Sequence, residues 1–309
     1  MAQKAREHTA RDRERIPTQT RPTAVLSLWD IPYADDGHPL HRLDIHLPKS
    51  RDAGHLLPTV VDFHGGGLYH GDKANNTCRD MYLADRGLAL VNADYRLVPQ
   101  VSFQDQLHDS MTVLAWVADH AGDYGMDAER VFLAGDSAST LLIIYACALL
   151  NSDAIASCLG ASVGDRPEVP SPVGLIGTSG MYRFQGGVHA AALSFYREAF
   201  FPTMRDQIEF APYLDMDRVV VDGDLPAFYL ATSCEDYLAD NTLEFARILT
   251  HRHQDFDLHV YPKRAGRPLA HNFAIQECGT PNGREAIEVV DQVAGFCRRP
   301  GRQERAGRT

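Results

Sequence analysis

Gly135-Asp136-Ser137-Ala138-Ser139 sets a serine in a tight turn. A short apolar run, Val131-Phe132-Leu133-Ala134, comes before it, and a strongly apolar segment, Leu141 to Leu150, comes after. Strand, sharp turn and helix in that order read as a nucleophile elbow. Such a turn lifts the Ser137 hydroxyl clear of a sheet. It also leaves the N–H of Ala138 at a helix N-terminus, where it can stabilise an anion. A serine hydroxyl is a weak nucleophile until a base takes its proton, and that base must be held by a third group.

The sequence offers a candidate for each remaining part. His64-Gly65-Gly66-Gly67 directly follows the apolar run Thr59 to Phe63. Its glycines let the backbone approach a ligand closely and turn N–H groups inward. Asp236 lies in Ser233-Cys234-Glu235-Asp236-Tyr237-Leu238, just past the strand-like run Ala227 to Thr232. In parallel α/β sheets, functional groups gather at the carboxyl ends of strands. Glu235 is one residue out of phase, and Asp240 suits the first turn of the next helix. His271, in Leu269-Ala270-His271-Asn272-Phe273, sits in a loop after the last strand-like run. Of the other histidines, His251 and His253 fall at a helix end and His259 falls inside a strand. His108, His120 and His189 have no suitable loop position.

The elements that must position these groups alternate along the chain. Val25 to Ile31 and Arg42 to Leu47 read as strands, joined through the turn Ala34-Asp35-Asp36-Gly37 as a hairpin-like pair. Thr59 to Phe63, Leu88 to Ala93, Val131 to Ala134, Val173 to Gly177, Ala227 to Thr232 and Asp257 to Tyr261 read as further strands. Helices are expected over Phe103 to Ala121, Ala138 to Leu150, Asn241 to Arg252 and Ala286 to Cys297. The first opens on a Ser102/Asp105 capping box. The second is apolar all round and should be deeply buried. Alternating strands and helices imply a mostly parallel central sheet flanked by helices on both sides.

Residues 180–224 make a longer connection than the topology needs. With a helix expected over Ala190 to Phe201 and aromatics such as Tyr182, Tyr196, Phe201, Phe210 and Tyr213, the stretch reads as a small helical cap inserted in a domain spanning 23–300. Residues 1–22 are polar and are expected to be a flexible arm or part of that cap. Residues 301–309 are expected to be a disordered tail.

The chain has 309 residues and a net charge of −11, which argues against a nucleic-acid binder. Its six cysteines form no CxxC pair, so no zinc site is expected. They suit free thiols in a reducing compartment. Residues 1–20 lack the apolar core of a signal peptide or membrane span, so a cytoplasmic location is expected.

Five motifs in order resemble the hormone-sensitive-lipase-like branch of carboxylesterases, within the α/β-hydrolase fold. They are His64-Gly65-Gly66-Gly67 with Gly71-Asp72; Asp94-Tyr95-Arg96-Leu97-Val98-Pro99; Gly135-Asp136-Ser137-Ala138; Glu235-Asp236-Tyr237-Leu238; and His271-Asn272-Phe273. The resemblance covers roughly residues 24–298. It departs from the family at Ser139, where glycine is usual, and in the segment Arg264 to Leu269.

The resemblance implies a serine hydrolase that cleaves esters of small to medium acyl chains through an acyl-enzyme, without metal or organic cofactor. Ser137 is then the nucleophile, His271 the base and Asp236 its orienting acid. The N–H groups of Gly65, Gly66 and Ala138 form the oxyanion hole. Leu68, Tyr69, Asp136 and Tyr196 are the candidate substrate contacts, and Arg96 is expected to pair locally. The partner is a small-molecule ester, and the last strand and helix offer a homodimer edge. An arylformamidase-type amidase uses the same parts, and a non-catalytic small-ligand binding protein would share the fold.

Overall fold

A computed structural model of the chain describes residues 2–51, 54–159, 171–183, 201 and 203–299. Helix α1 (Ala2–Arg15) precedes β1 (Val25–Pro32) and β2 (Arg42–Pro48). Then β3 (Leu57–Phe63), α2 (Thr77–Asp85), β4 (Ala89–Ala93), α3 (Phe103–Tyr124), β5 (Met126–Asp136) and α4 (Ser139–Asn151) follow in alternation. Next come α5 (Asp153–Cys158), β6 (Gly174–Thr178), α6 (Met204–Phe210) and α7 (Met216–Asp222). The chain closes through β7 (Ala227–Ser233), α8 (Ala239–His251), β8 (Phe256–Tyr261), α9 (Phe273–Gln276) and α10 (Arg284–Cys297).

The strands form one sheet in the order β1-β2-β4-β3-β5-β6-β7-β8. β1 pairs antiparallel with β2, and β2 with β4; every other pairing is parallel. Successive side chains of a strand point to opposite faces, and that alternation divides the core in two. Val61, Phe63, Val131 and Leu133 face one cluster, packed by α3, α4 and α8. Val60, Phe132 and Ala134 face the other, packed by α2, α9 and α10. These strands carry apolar residues on both faces because both faces are covered.

Helix α3 starts where the sequence places it. The Ser102 side chain accepts from the N–H of Asp105, and the Asp105 side chain accepts from the N–H of Ser102. Helix α4 is buried from Ser139 to Leu149, as an all-round apolar segment requires. Strand β5 begins five residues before the expected Val131. Met126 and Asp127 pair with Leu57 and Pro58 across a register shift, which the polar residues of that stretch conceal.

Residues 2–15, read from the sequence as a flexible arm or lid, are helical, and the chain beyond them is tied down. The buried Gln19 amide donates to the carbonyls of Ile275 and Cys278, at 2.7 and 2.9 Å. The N–H of Thr20 donates to Gly279 at 2.8 Å. In the expected cap, Tyr182, Phe201, Phe210 and Tyr213 are buried in the main core and are not exposed to a pocket. Tyr196, residues 190–200 of the expected cap helix, and the tail 301–309 lie outside the described residues. Among the described residues no helix is long and apolar enough to cross a membrane.

The register brings the strand ends level. Phe63 pairs with Gly135, Asp136 with Thr178 and Thr178 with Ala231. The turns after β3, β5, β6 and β7 therefore open at one edge of the sheet. At the β5 turn the strand meets its own helix closely: a Cβ on Gly135 would sit 2.9 Å from the carbonyl and hydroxyl of Ser139. Gly135→Ala should thus lower unfolding stability by about 1–3 kcal/mol. Urea denaturation reads this directly, and an unchanged midpoint would show that the turn yields without cost.

Candidate active site

Ser137 occupies the turn between β5 and α4 with φ +54°, a left-handed conformation that costs a non-glycine residue energy and is held by its surroundings. Its N–H donates to the Thr178 carbonyl, and its own carbonyl accepts from Met181. Ser139 closes the turn from inside. Its Oγ accepts from the N–H of Asp136 at 2.9 Å and donates to the Asp136 carbonyl at 2.8 Å. The side chain that replaces the usual glycine thus supplies two hydrogen bonds to the elbow.

The Ser137 Oγ lies 2.9 Å from His271 Nε2, and His271 Nδ1 lies 2.9 Å from Asp236 Oδ1. Three residues far apart in sequence form one unbroken line of hydrogen bonds. Asp236 is buried, and the Leu238 N–H donates to its Oδ1 at 2.8 Å. Burial pushes the Asp236 carboxyl up. The His271 hydrogen bond and charge, with the donors around the carboxylate, outweigh burial and hold it below the usual carboxylate value. Asp236 therefore remains ionised beside His271.

The competing acids have other partners. Glu235 accepts from the N–H of Leu269 at 2.9 Å and so braces the loop that carries His271. Asp240 lies in the first turn of α8. Arg264, in the segment that departs from the family, bonds Glu277 and Glu285 and staples the same loop. Arg96 pairs with Asp109 at 2.6 Å. His259 stacks on Tyr229 inside the sheet.

One expectation about the His64–Gly67 loop is corrected. The N–H of Gly65 is spent: it donates to Asp136 Oδ1 at 2.9 Å. The N–H groups of Gly66, Gly67 and Ala138 have no acceptor among the described residues. Gly66 must be glycine, since it has φ +118° and a Cβ there would run into the His70 carbonyl. The loop is held from behind by Tyr95, whose hydroxyl donates to the His64 carbonyl at 2.7 Å and whose ring stacks on the His64 imidazole.

Two expected substrate contacts are also corrected. Leu68 is fully buried with φ +62°, and its carbonyl accepts from Val98 N and Gln106 Nε2, so it is a core residue. Asp136 is buried and its carboxylate is occupied. Besides Gly65, it accepts from Asn76 Nδ2 at 2.9 Å and Asn272 Nδ2 at 2.6 Å. Asn76 also donates to Asp62, which pairs with Arg79 at 2.5 Å. Tyr69 is half-buried, packed edge-on against His70.

Asn76, Asn272 and Tyr237 contact these residues without having been singled out in the sequence. Asn272 and Tyr237 carried the signal of direct adjacency to His271 and Asp236. The Tyr237 ring lies 4.3 Å from the His271 ring. Among the described residues no cluster of His, Cys, Asp or Glu is arranged to hold a metal ion. A separate cleft of about 650 Å³ opens between α1 and the segment around Arg267 and Phe273, and none of Ser137, Asp236 or His271 lines it.

Asp136→Asn puts an amide nitrogen where one of three N–H donors now points. A buried donor left unsatisfied costs about 1–3 kcal/mol. The variant should lose that much unfolding stability and should also react more slowly at Ser137 with a fluorophosphonate. Wild-type values in both measurements would remove Asp136 from its bracing role.

The BD-FAE family model matches residues 43–186. The isoprenylcysteine alpha-carbonyl methylesterase ICME of Arabidopsis thaliana is 32% identical over 184 residues, 59% of this chain. This chain spans 41% of the length of that relative. The carboxylesterase NlhH of Mycobacterium tuberculosis is 33% identical over 115 residues, which cover 37% of this chain and 33% of that protein. Among solved structures, an inhibited esterase B from Lactobacillus rhamnosis superposes with a TM-score of 0.85 at 23% identity, covering 98% of this chain and 96% of that one. At that identity the likeness shows the fold, and the chain has the α/β-hydrolase fold.

Proposed function

We propose that the protein is a serine carboxylesterase acting on small-molecule esters of short to medium acyl chains. The observation that carries this reading is the line Ser137 Oγ, His271 Nε2, His271 Nδ1, Asp236 Oδ1, with both contacts at 2.9 Å. Those distances are within reach for proton transfer. Ser137 attacks the ester carbonyl while His271 takes its proton. Asp236 keeps the imidazole in the tautomer and orientation that accept it, and stabilises the imidazolium that forms. His271 then returns the proton to the leaving alcohol, and water, activated by the same base, releases the acid.

The developing oxyanion is assigned to the free N–H groups of Gly66, Gly67 and Ala138. Fixed donors of this kind are worth roughly 100- to 1000-fold each in rate. The half-buried Tyr69, packed on His70, remains a proposed substrate contact, and residues 180–224 with the arm form the proposed cap. The six cysteines are free, which supports a reducing, cytoplasmic setting. Among the described residues β8 is an edge strand with Val260 exposed, which supports a homodimer. Cell fractionation and sedimentation velocity check these two points, and a secreted or purely monomeric protein would contradict them.

Ser137→Ala should reduce hydrolysis of a short 4-nitrophenyl ester by about 10,000-fold or more, and should abolish fluorophosphonate labelling. Near-full activity in that variant would sink the assignment.

A further inference from the structure

Tyr237 is the most exposed of the large apolar and aromatic side chains in the described residues, at 73%. It directly follows Asp236, and its ring is tilted 40° against that of His271, centroid to centroid 4.3 Å. Its exposed face is free to meet a ligand that approaches along the His271 imidazole. No hydrogen bond fixes its hydroxyl among the described residues, so the hydroxyl does not explain its position.

The chemistry says which half of the substrate meets this ring. His271 Nε2 faces Ser137 Oγ and hands its proton to the departing alkoxide, so the alcohol half of the ester leaves along His271. A group larger than a few atoms on that oxygen extends past Nε2, within reach of the Tyr237 ring that lies against the imidazole.

We infer that Tyr237 is a specificity-determining residue that stacks on the alcohol moiety of the substrate and favours esters of aromatic alcohols. This rests on the esterase reading above. Aromatic pairs in offset or edge-to-face geometry contribute enough to shift binding by about tenfold.

The test uses benzyl acetate and ethyl acetate on the full chain. Their alkoxides leave with similar ease, and both pass through the same acetyl-enzyme, so the comparison isolates the alcohol side of the acylation step. In Tyr237→Ala the benzyl-to-ethyl ratio of kcat/KM should fall about tenfold, mostly through a higher KM for benzyl acetate. In Tyr237→Phe, which keeps the ring, the ratio should hold. An equal fall on both esters would mean that Tyr237 only supports His271, and would overturn the inference. An unchanged ratio in Tyr237→Ala would overturn it too. If the wild-type protein cleaves neither acetate and takes no fluorophosphonate at Ser137, the esterase reading itself fails, and the inference falls with it.

Discussion

A single carboxylate holds the working parts of this molecule in one frame. Asp136 belongs to the turn that carries Ser137. Its two oxygens reach the His64–Gly67 loop at Gly65, helix α2 through Asn76, and the His271 loop through Asn272. Hydrogen bonds to a charged acceptor are each worth roughly 1.5–3 kcal/mol net, and a buried charge left short of partners costs more than that. Any displacement of one loop relative to another leaves part of that charge unsatisfied. Behind it, Asn76 leads to Asp62 and on to Arg79 and Asp80, all buried. Burial pushes the Asp62 and Asp80 carboxyls up, against the pull of Arg79. The polar spine therefore ties the site to the back of α2 rather than to solvent.

The sheet supplies what the carboxylate cannot. Parallel strands in register bring the ends of β3, β5, β6 and β7 to one edge, so loops more than a hundred residues apart in sequence become neighbours. Ser139 shows how little freedom remains at that edge. Its hydroxyl fills the space that glycine usually leaves and exchanges two hydrogen bonds with Asp136. The departure from the family pattern tightens the elbow, with Gly135 giving way to make room.

Much of this is legible in the sequence, and the limits follow a physical rule. The strands and the long helices announce themselves by apolar periodicity. Ser137, Asp236 and His271 are legible because each follows a strand that periodicity locates. Which glycine N–H stays free is not legible, since it depends on where the Asp136 carboxylate lands across 71 residues of chain. Leu68 misleads because its left-handed backbone turns the side chain inward, and no local pattern signals that. Helix α1 is polar along its length, so its packing against the His70 ring through His8 leaves no trace in apolar periodicity. Asn76 had no local signal at all, for its partners come from β3 and β5.

The anchorage of the segment behind α1 has a mechanical meaning. Gln19 and Thr20 clamp the chain to Ile275, Cys278 and Gly279, only a few residues beyond His271. A pull applied ahead of α1 is borne first at that clamp and passes next into α9, whose cap residue Asn272 is itself bonded to Asp136. A tether or fused domain joined at that end would load the His271 loop directly. One joined behind α10 would load a helix that shares the core cluster of α9 but carries none of the clamp residues. For immobilising the protein on a surface, the two ends are not equivalent attachment points.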